Sequence, residues 1–103
     1  MIATGTNMQV LAVAYDLHIP GSRSLKDKRA VLRPLLEGLR SRHHVAVSET
    51  DHHDTWQRAG VGMAVVAPTP GHARELIDAA DRFVWSFPEI EVLGAHEHWL
   101  ERD

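Results

Sequence analysis

The stretch HVAVSETDHHDTWQRAGVGMAVVAPTP, residues 44–70, decides the fold, because it sets two strands in succession with no helix between them. HVAVSETD (44–51) reads as a strand and the polar HHDTWQR (52–58) as a loop. AGVGMAVVAP (59–68) reads as the next strand, in which Gly60, Gly62 and Ala64 allow close approach of another layer. Thr69 then offers a capping hydroxyl, and Pro70 suits the first helical position, so the chain turns into a helix.

The flanking segments complete the pattern. MQVLAVAYDLHI (8–19) alternates, with Leu11, Val13, Tyr15 and Leu17 on one face, and Pro20-Gly21 ends it. Ser24 opens a capping-box-like S-L-K-D, and Leu25, Leu32, Leu35, Leu36 and Leu39 recur with helical period over 25–42. Pro34 interrupts that run, yet the leucines stay in phase beyond it, which predicts one kinked helix. Leu76, Ile77, Ala80, Phe83, Val84 and Phe87 define a second helix stopped at Pro88. EIEVLGAHEHWLE (89–101) is the last strand, with Leu93, Ala95 and Trp99 assigned to the core and His96 and His98 to the outside. The order β-α-β-β-α-β is that of a ferredoxin-like α+β sandwich: a four-stranded antiparallel sheet with two helices on one face. One domain is expected over 8–103, behind a flexible lead-in at 1–7.

Composition excludes several classes. The absence of cysteine rules out disulfides, cysteine-zinc sites and thiol catalysis. No apolar run approaches the roughly 20 residues needed to span a bilayer, so no membrane partner is expected. MIATGTN has neither the charged nor the apolar region of a signal peptide, and cytoplasm is the expected location.

Charge is segregated. Residues 21–44 hold seven of the eleven Lys/Arg and two of the fourteen carboxylates, a net of +5 against -8 for the remainder. Such a split points to a local anionic partner. In this fold the first β-α loop, the loop between the middle strands and the second α-β loop share one end of the sheet. HIPGSRS therefore meets DHHDTWQR. Lys26, Arg29, Arg33, Glu37 and Arg40 fall along one helix face.

The segments LHIPGSRSLKDKRAVL, VSETDHHDTWQRAGVGMAVV and PEIEVL…WL resemble the YlxP-like family of small bacterial proteins over nearly the whole domain from Met8 onward. The resemblance implies the ferredoxin-like fold. It also implies genes that often lie among those for translation initiation and ribosome assembly, and it carries no established activity.

Three functional readings follow. In the first, a non-enzymatic protein binds RNA or a ribosomal subunit. Arg23, Lys26, Lys28, Arg29 and Arg33 would contact phosphate, Arg58 would assist, and Trp56 or His52 would stack on a base. The aromatic signature of an RRM sheet is absent from GVGMAVV, which leaves the basic edge as the contact surface. In the second, a homodimeric regulatory module holds a small phosphate or carboxylate at the first helix N-terminus. Gly21, Ser22 and Ser24 would lie beneath it and Arg23 and Lys26 over it, unless Ser24 merely caps the helix. His18 belongs to the same polar cluster. The third is a metal-dependent enzyme using Asp51, His52, His53 and Asp54. Adjacent side chains on an extended chain diverge, so a hydrogen-bonded polar loop is the simpler account; neither a metal nor another cofactor is expected. His96 and His98 share a strand face, but two ligands make a poor site. The sheet face without helices would carry Val10, Ala12, Ala14, Val92 and Gly94, and a second copy packed sheet on sheet would cover it.

Overall fold

The computed structural model describes residues 7–100. The chain runs β1 (Gln9–His18), α1 (Leu25–Arg42), β2 (Ala46–Asp51), β3 (Arg58–Ala67), α2 (Pro70–Trp85) and β4 (Glu91–Trp99). Apart from Asn7, the expected lead-in lies outside the described residues. The strands form one sheet in the order β2-β3-β1-β4, and every neighbouring pair is antiparallel. This is the ferredoxin-like α+β arrangement. Alternation puts Leu11, Val13, Tyr15 and Leu17 of β1 on the same face as Val61, Met63 and Val65 of β3, and all seven are buried. Leu32, Leu35 and Leu39 of α1 and Ala73, Ile77, Ala80 and Val84 of α2 close over that face.

The caps form as the sequence predicts. Ser24 Oγ accepts from the Asp27 amide at 3.0 Å, and Asp27 Oδ2 reaches back past the cap to accept from the Arg23 amide at 3.0 Å, a variant of the capping box. Thr69 Oγ1 accepts from the His72 amide at 3.1 Å, with Pro70 in the first turn of α2. α1 continues through Pro34, because Leu35 and Leu39 anchor its second half in the core.

β4 departs from the simple alternation. Its register against β1 shifts between Asp16 and Leu17, so Leu17 pairs with Val92 and Asp16 with Gly94. Val92 therefore packs against the core, while Leu93 is 53% exposed. Ala95 and Trp99 lie on the helix-side parity but stay uncovered, since α2 packs chiefly on β1 and β3. None of the three residues assigned to the core of this strand is buried. Burial and the bond its hydroxyl donates to Asp81 Oδ1 (2.6 Å) push the Tyr15 pKa well above the ordinary tyrosine value. Arg74 bonds Glu97 through both carboxylate oxygens (2.6 and 2.8 Å) and holds that carboxyl below the usual range.

The two helices meet at Gly38, where an added Cβ would overlap the Phe83 ring. That ring is confined by His43, Phe87 and the Arg42 guanidinium. Glycine inside a helix ordinarily costs about 1 kcal/mol relative to alanine, whereas overpacking costs about 1–3 kcal/mol. Gly38→Ala is thus expected to destabilise by about 1 kcal/mol in urea unfolding, reversing the sign of the propensity effect.

Candidate functional site: a basic helix face beside a lysine-centred loop

β1 ends where β3 and β4 begin, with His18 opposite both Arg58 and Glu91, so the loops 19–24 and 52–57 meet at this end of the sheet. The Ile19 amide donates to the Gln57 carbonyl (2.9 Å), and Gln57 Nε2 donates to the carbonyls of Pro20 (3.3 Å) and Ser22 (3.1 Å). Gln57 thereby ties together the two loops between which the second reading seats a small anion. Ser22 is buried with its hydroxyl bonded to the Ser24 carbonyl. The remaining hollow beside the first loop is lined by Asp27 and Glu89, whose carboxylates repel an anion. At the α1 N-terminus the Asp27 amide is taken by Ser24 Oγ, and the Arg23 amide just before the cap is taken by the Asp27 carboxylate.

Lys28 is the largest correction. It is only 2% exposed, so it is no phosphate contact. Its Nζ donates to Glu49 Oε2 (3.0 Å) and to the carbonyls of His52 (2.8 Å), His53 (3.2 Å) and Arg58 (3.3 Å). The signal was present in the sequence: Leu25, Lys28, Leu32, Leu35 and Leu39 follow i, i+3, i+7, i+10 and i+14, so the lysine shares the phase of the core leucines. Residues 51–58 bend around its ammonium, with His52 at φ 59° turning its carbonyl inward. The Asp51 carboxylate supports that turn by accepting the His52 amide at 2.8 Å.

The other predicted site residues separate by their partners. Arg58 is held by Asp16 through three bonds of 2.7–3.2 Å, so its charge is neutralised within the sheet. Nothing local in the sequence links Asp16 to Arg58, because the two are remote in the chain; the β1–β3 register sets them on a cross-strand diagonal. His18 Nδ1 pairs with Glu91 at 2.9 Å, and His53 Nε2 bonds the Glu49 carbonyl at 3.2 Å. Trp56 is 55% exposed at the loop tip and Asp54 is exposed beside it. Among the described residues no three His, Asp or Glu side chains converge to hold a metal ion. Asp16, Asp51, His52 and His96 border a hollow of about 270 Å³ over Ala14 and Gly60 without forming such a cluster.

Lys26, Arg29, Arg33 and Arg40 remain together. All four are exposed on one stripe of α1, and none has a carboxylate within 4.0 Å among the described residues. Arg23, just before the α1 cap, is also exposed and has no ion pair among the described residues. Arg29, Arg33 and Arg40 line a groove of about 230 Å³ beside β2, floored by Leu32 and Leu36 and bordered by Glu37 and Glu49. Glu49 is already bonded to Lys28. From Lys26 to Arg40 the stripe runs about 21 Å at 1.5 Å per residue.

Comparison with known proteins places the chain. The family described as "Protein of unknown function (DUF503)" matches residues 10–97, and the chain belongs to that family. It is 37% identical over 77 residues to the uncharacterized protein YlxP of Bacillus subtilis (strain 168), covering 75% of this chain and 84% of that one. Among solved structures it is similar to the de novo designed protein Foldit4, with a TM-score of 0.55, 11% identity and coverage of 92% and 99%. It is also similar to a C-terminal segment of the alpha subunit of aIF2 from Pyrococcus abyssi, with a TM-score of 0.55, 14% identity and coverage of 97% and 53%. At these identities the structural likenesses concern the fold alone.

Lys28→Met keeps the apolar stem and deletes the ammonium, leaving one carboxylate and three carbonyls without their donor. It is expected to destabilise by about 3 kcal/mol in chemical unfolding, the scale for breaking a buried charge pair. Amide exchange over residues 52–58 should rise with it, beyond that of β1.

Proposed function

We propose that this protein is a non-enzymatic, cytoplasmic RNA-binding protein that engages a structured RNA, such as that of a ribosomal particle, through the outer face of α1. One observation carries the reading. Among the described residues, Lys28, Arg58 and Arg74 are bonded to carboxylates and Arg42 and Arg82 stand apart from each other, whereas Lys26, Arg29, Arg33 and Arg40 line one stripe of α1 without a carboxylate partner, with Arg23 just before its cap. Paired cations add little to long-range attraction. Unpaired ones arranged over about 21 Å attract a polyanion and release its counterions on contact.

The groove beside β2 adds geometry to charge. Three guanidinium groups border it, and guanidinium suits the two-oxygen face of a phosphate. Trp56 sits at the tip of the neighbouring loop as a platform for an unpaired base. The acidic remainder of the chain orients the polyanion towards this one face.

The test is a salt series of binding to ribosomal RNA and ribosomal subunits. Replacing Arg29, Arg33 and Arg40 by alanine should reduce the slope of log affinity against log salt by roughly 2–3, close to one per lost phosphate contact. Arg42→Ala serves as the control, because its guanidinium lies over the Phe83 ring, away from the stripe. No wild-type binding at low salt, or equal loss in the control, would overturn the reading.

A further inference from the structure

The two edges of the sheet are treated differently. β2, at one edge, is short, and its register slips between Glu49 and Asp51. Two of its carbonyls are occupied by side chains: Arg40 Nη2 donates to Val47 (3.3 Å), and His53 Nε2 meets Glu49 (3.2 Å). Another strand approaching that edge would have to displace both. β4, at the other edge, is nine residues long, contains no lysine and no proline, and beyond its own bulge at residues 92–94 runs regularly to Trp99. Among the described residues no side chain bonds to its backbone. No residue of β4 is buried, although Leu93 and Trp99 are large and apolar, and Trp85 stands 60% exposed beside it at the end of α2. An open, partly apolar edge of this length is a template for strand addition.

We propose that β4 pairs antiparallel with β4 of a second copy of this chain, joining two four-stranded sheets into one of eight strands. Three features select a second copy as the occupant. First, an antiparallel pair of identical strands is related by a two-fold axis, so each edge satisfies the other. Second, the blocked β2 edge prevents a β4-to-β2 contact that would propagate into a filament, and assembly closes at two. Third, the charge pattern fits: an axis at Ala95 sets Glu97 of each chain against Leu93 of the other, so these carboxylates do not face each other across the new ladder. Arg74 already neutralises Glu97 within its own chain. Leu93 of each chain then lies diagonal to Trp99 of the other, within reach of an aromatic side chain. This proposal does not depend on RNA binding, and it uses an edge of the sheet rather than the open face.

Sedimentation velocity of the full chain up to about 200 µM tests it, with a dimer expected at concentrations in the ordinary range of specific association. Ala95→Lys places two like charges against each other at the axis and should weaken the dimer at least roughly 100-fold. Leu93→Lys, at an exposed position, should act in the same direction. Circular dichroism checks that both variants fold, as their exposure leads one to expect. Ala14→Lys, on the exposed open face, should leave the dimer intact. A monomeric wild type overturns the proposal. So does a dimer that survives both β4 variants, or one that only Ala14→Lys disrupts, which would place the second copy on the open face.

Discussion

The ammonium of Lys28 organises the end of the sheet where three loops converge. A lysine inside a hydrophobic stripe is costly unless all its protons find acceptors. Here Glu49 supplies a carboxylate, and the backbone of the loop after β2 supplies carbonyls from His52, His53 and Arg58. The cation on α1 thus determines the path of a loop more than twenty residues away. His52 takes a left-handed conformation to complete the shell. That loop in turn places Gln57 against the first β-α loop, whose form follows from the bonds to Pro20 and Ser22. The polar residues at this end are largely consumed in holding each other, which accounts for a dense cluster of histidine and aspartate that gathers no metal-binding triad among the described residues.

The same sorting of partners separates structural charge from available charge. Lys28 and Arg58 are engaged on opposite faces of the sheet, one under α1 and one with Asp16 on the open side. Arg74 holds β4 to α2 through Glu97 and lies over the Trp99 ring. Among the described residues Arg82 stands unpaired on α2, but the remaining carboxylate-free cations gather on α1 and its approach, where the helical repeat places Lys26, Arg29, Arg33 and Arg40 on one side and leucines on the other. Our proposed RNA surface is that remainder. It is a property of one helix, and it coexists with a chain that is acidic as a whole.

Small residues floor the centre of the open face. Gly60 sits directly beside Asp51, and an added Cβ there would crowd that residue's own Cβ and backbone. Ala12, Ala14, Gly62 and Ala64 continue the same low floor along β1 and β3. The floor offers little side-chain surface to interdigitate. Val66 stands exposed on that face, while Leu93, Trp99 and Trp85 stand exposed together at β4 and the end of α2. That cluster beside the free strand is why we place a second copy at the strand edge.

The sequence by itself determined the order of elements, both helix caps and the buried face of β1, because these rest on local chemistry: period-two alternation, period-3.6 leucines, hydroxyls before helices and prolines after them. It also held the phase of Lys28 within the leucine stripe and the alignment of Lys26, Arg29, Arg33 and Arg40. Only the tertiary structure decided which cations were spent on partners. Glu49 lies 21 residues from Lys28 and Asp16 lies 42 from Arg58, and no local pattern encodes either pairing. The faces of β4 were likewise undecidable beforehand, since a bulge adds one residue and exchanges Val92 for Leu93 at the core. A strand's facing depends on its neighbour's register, which is a property of two segments together and of neither alone.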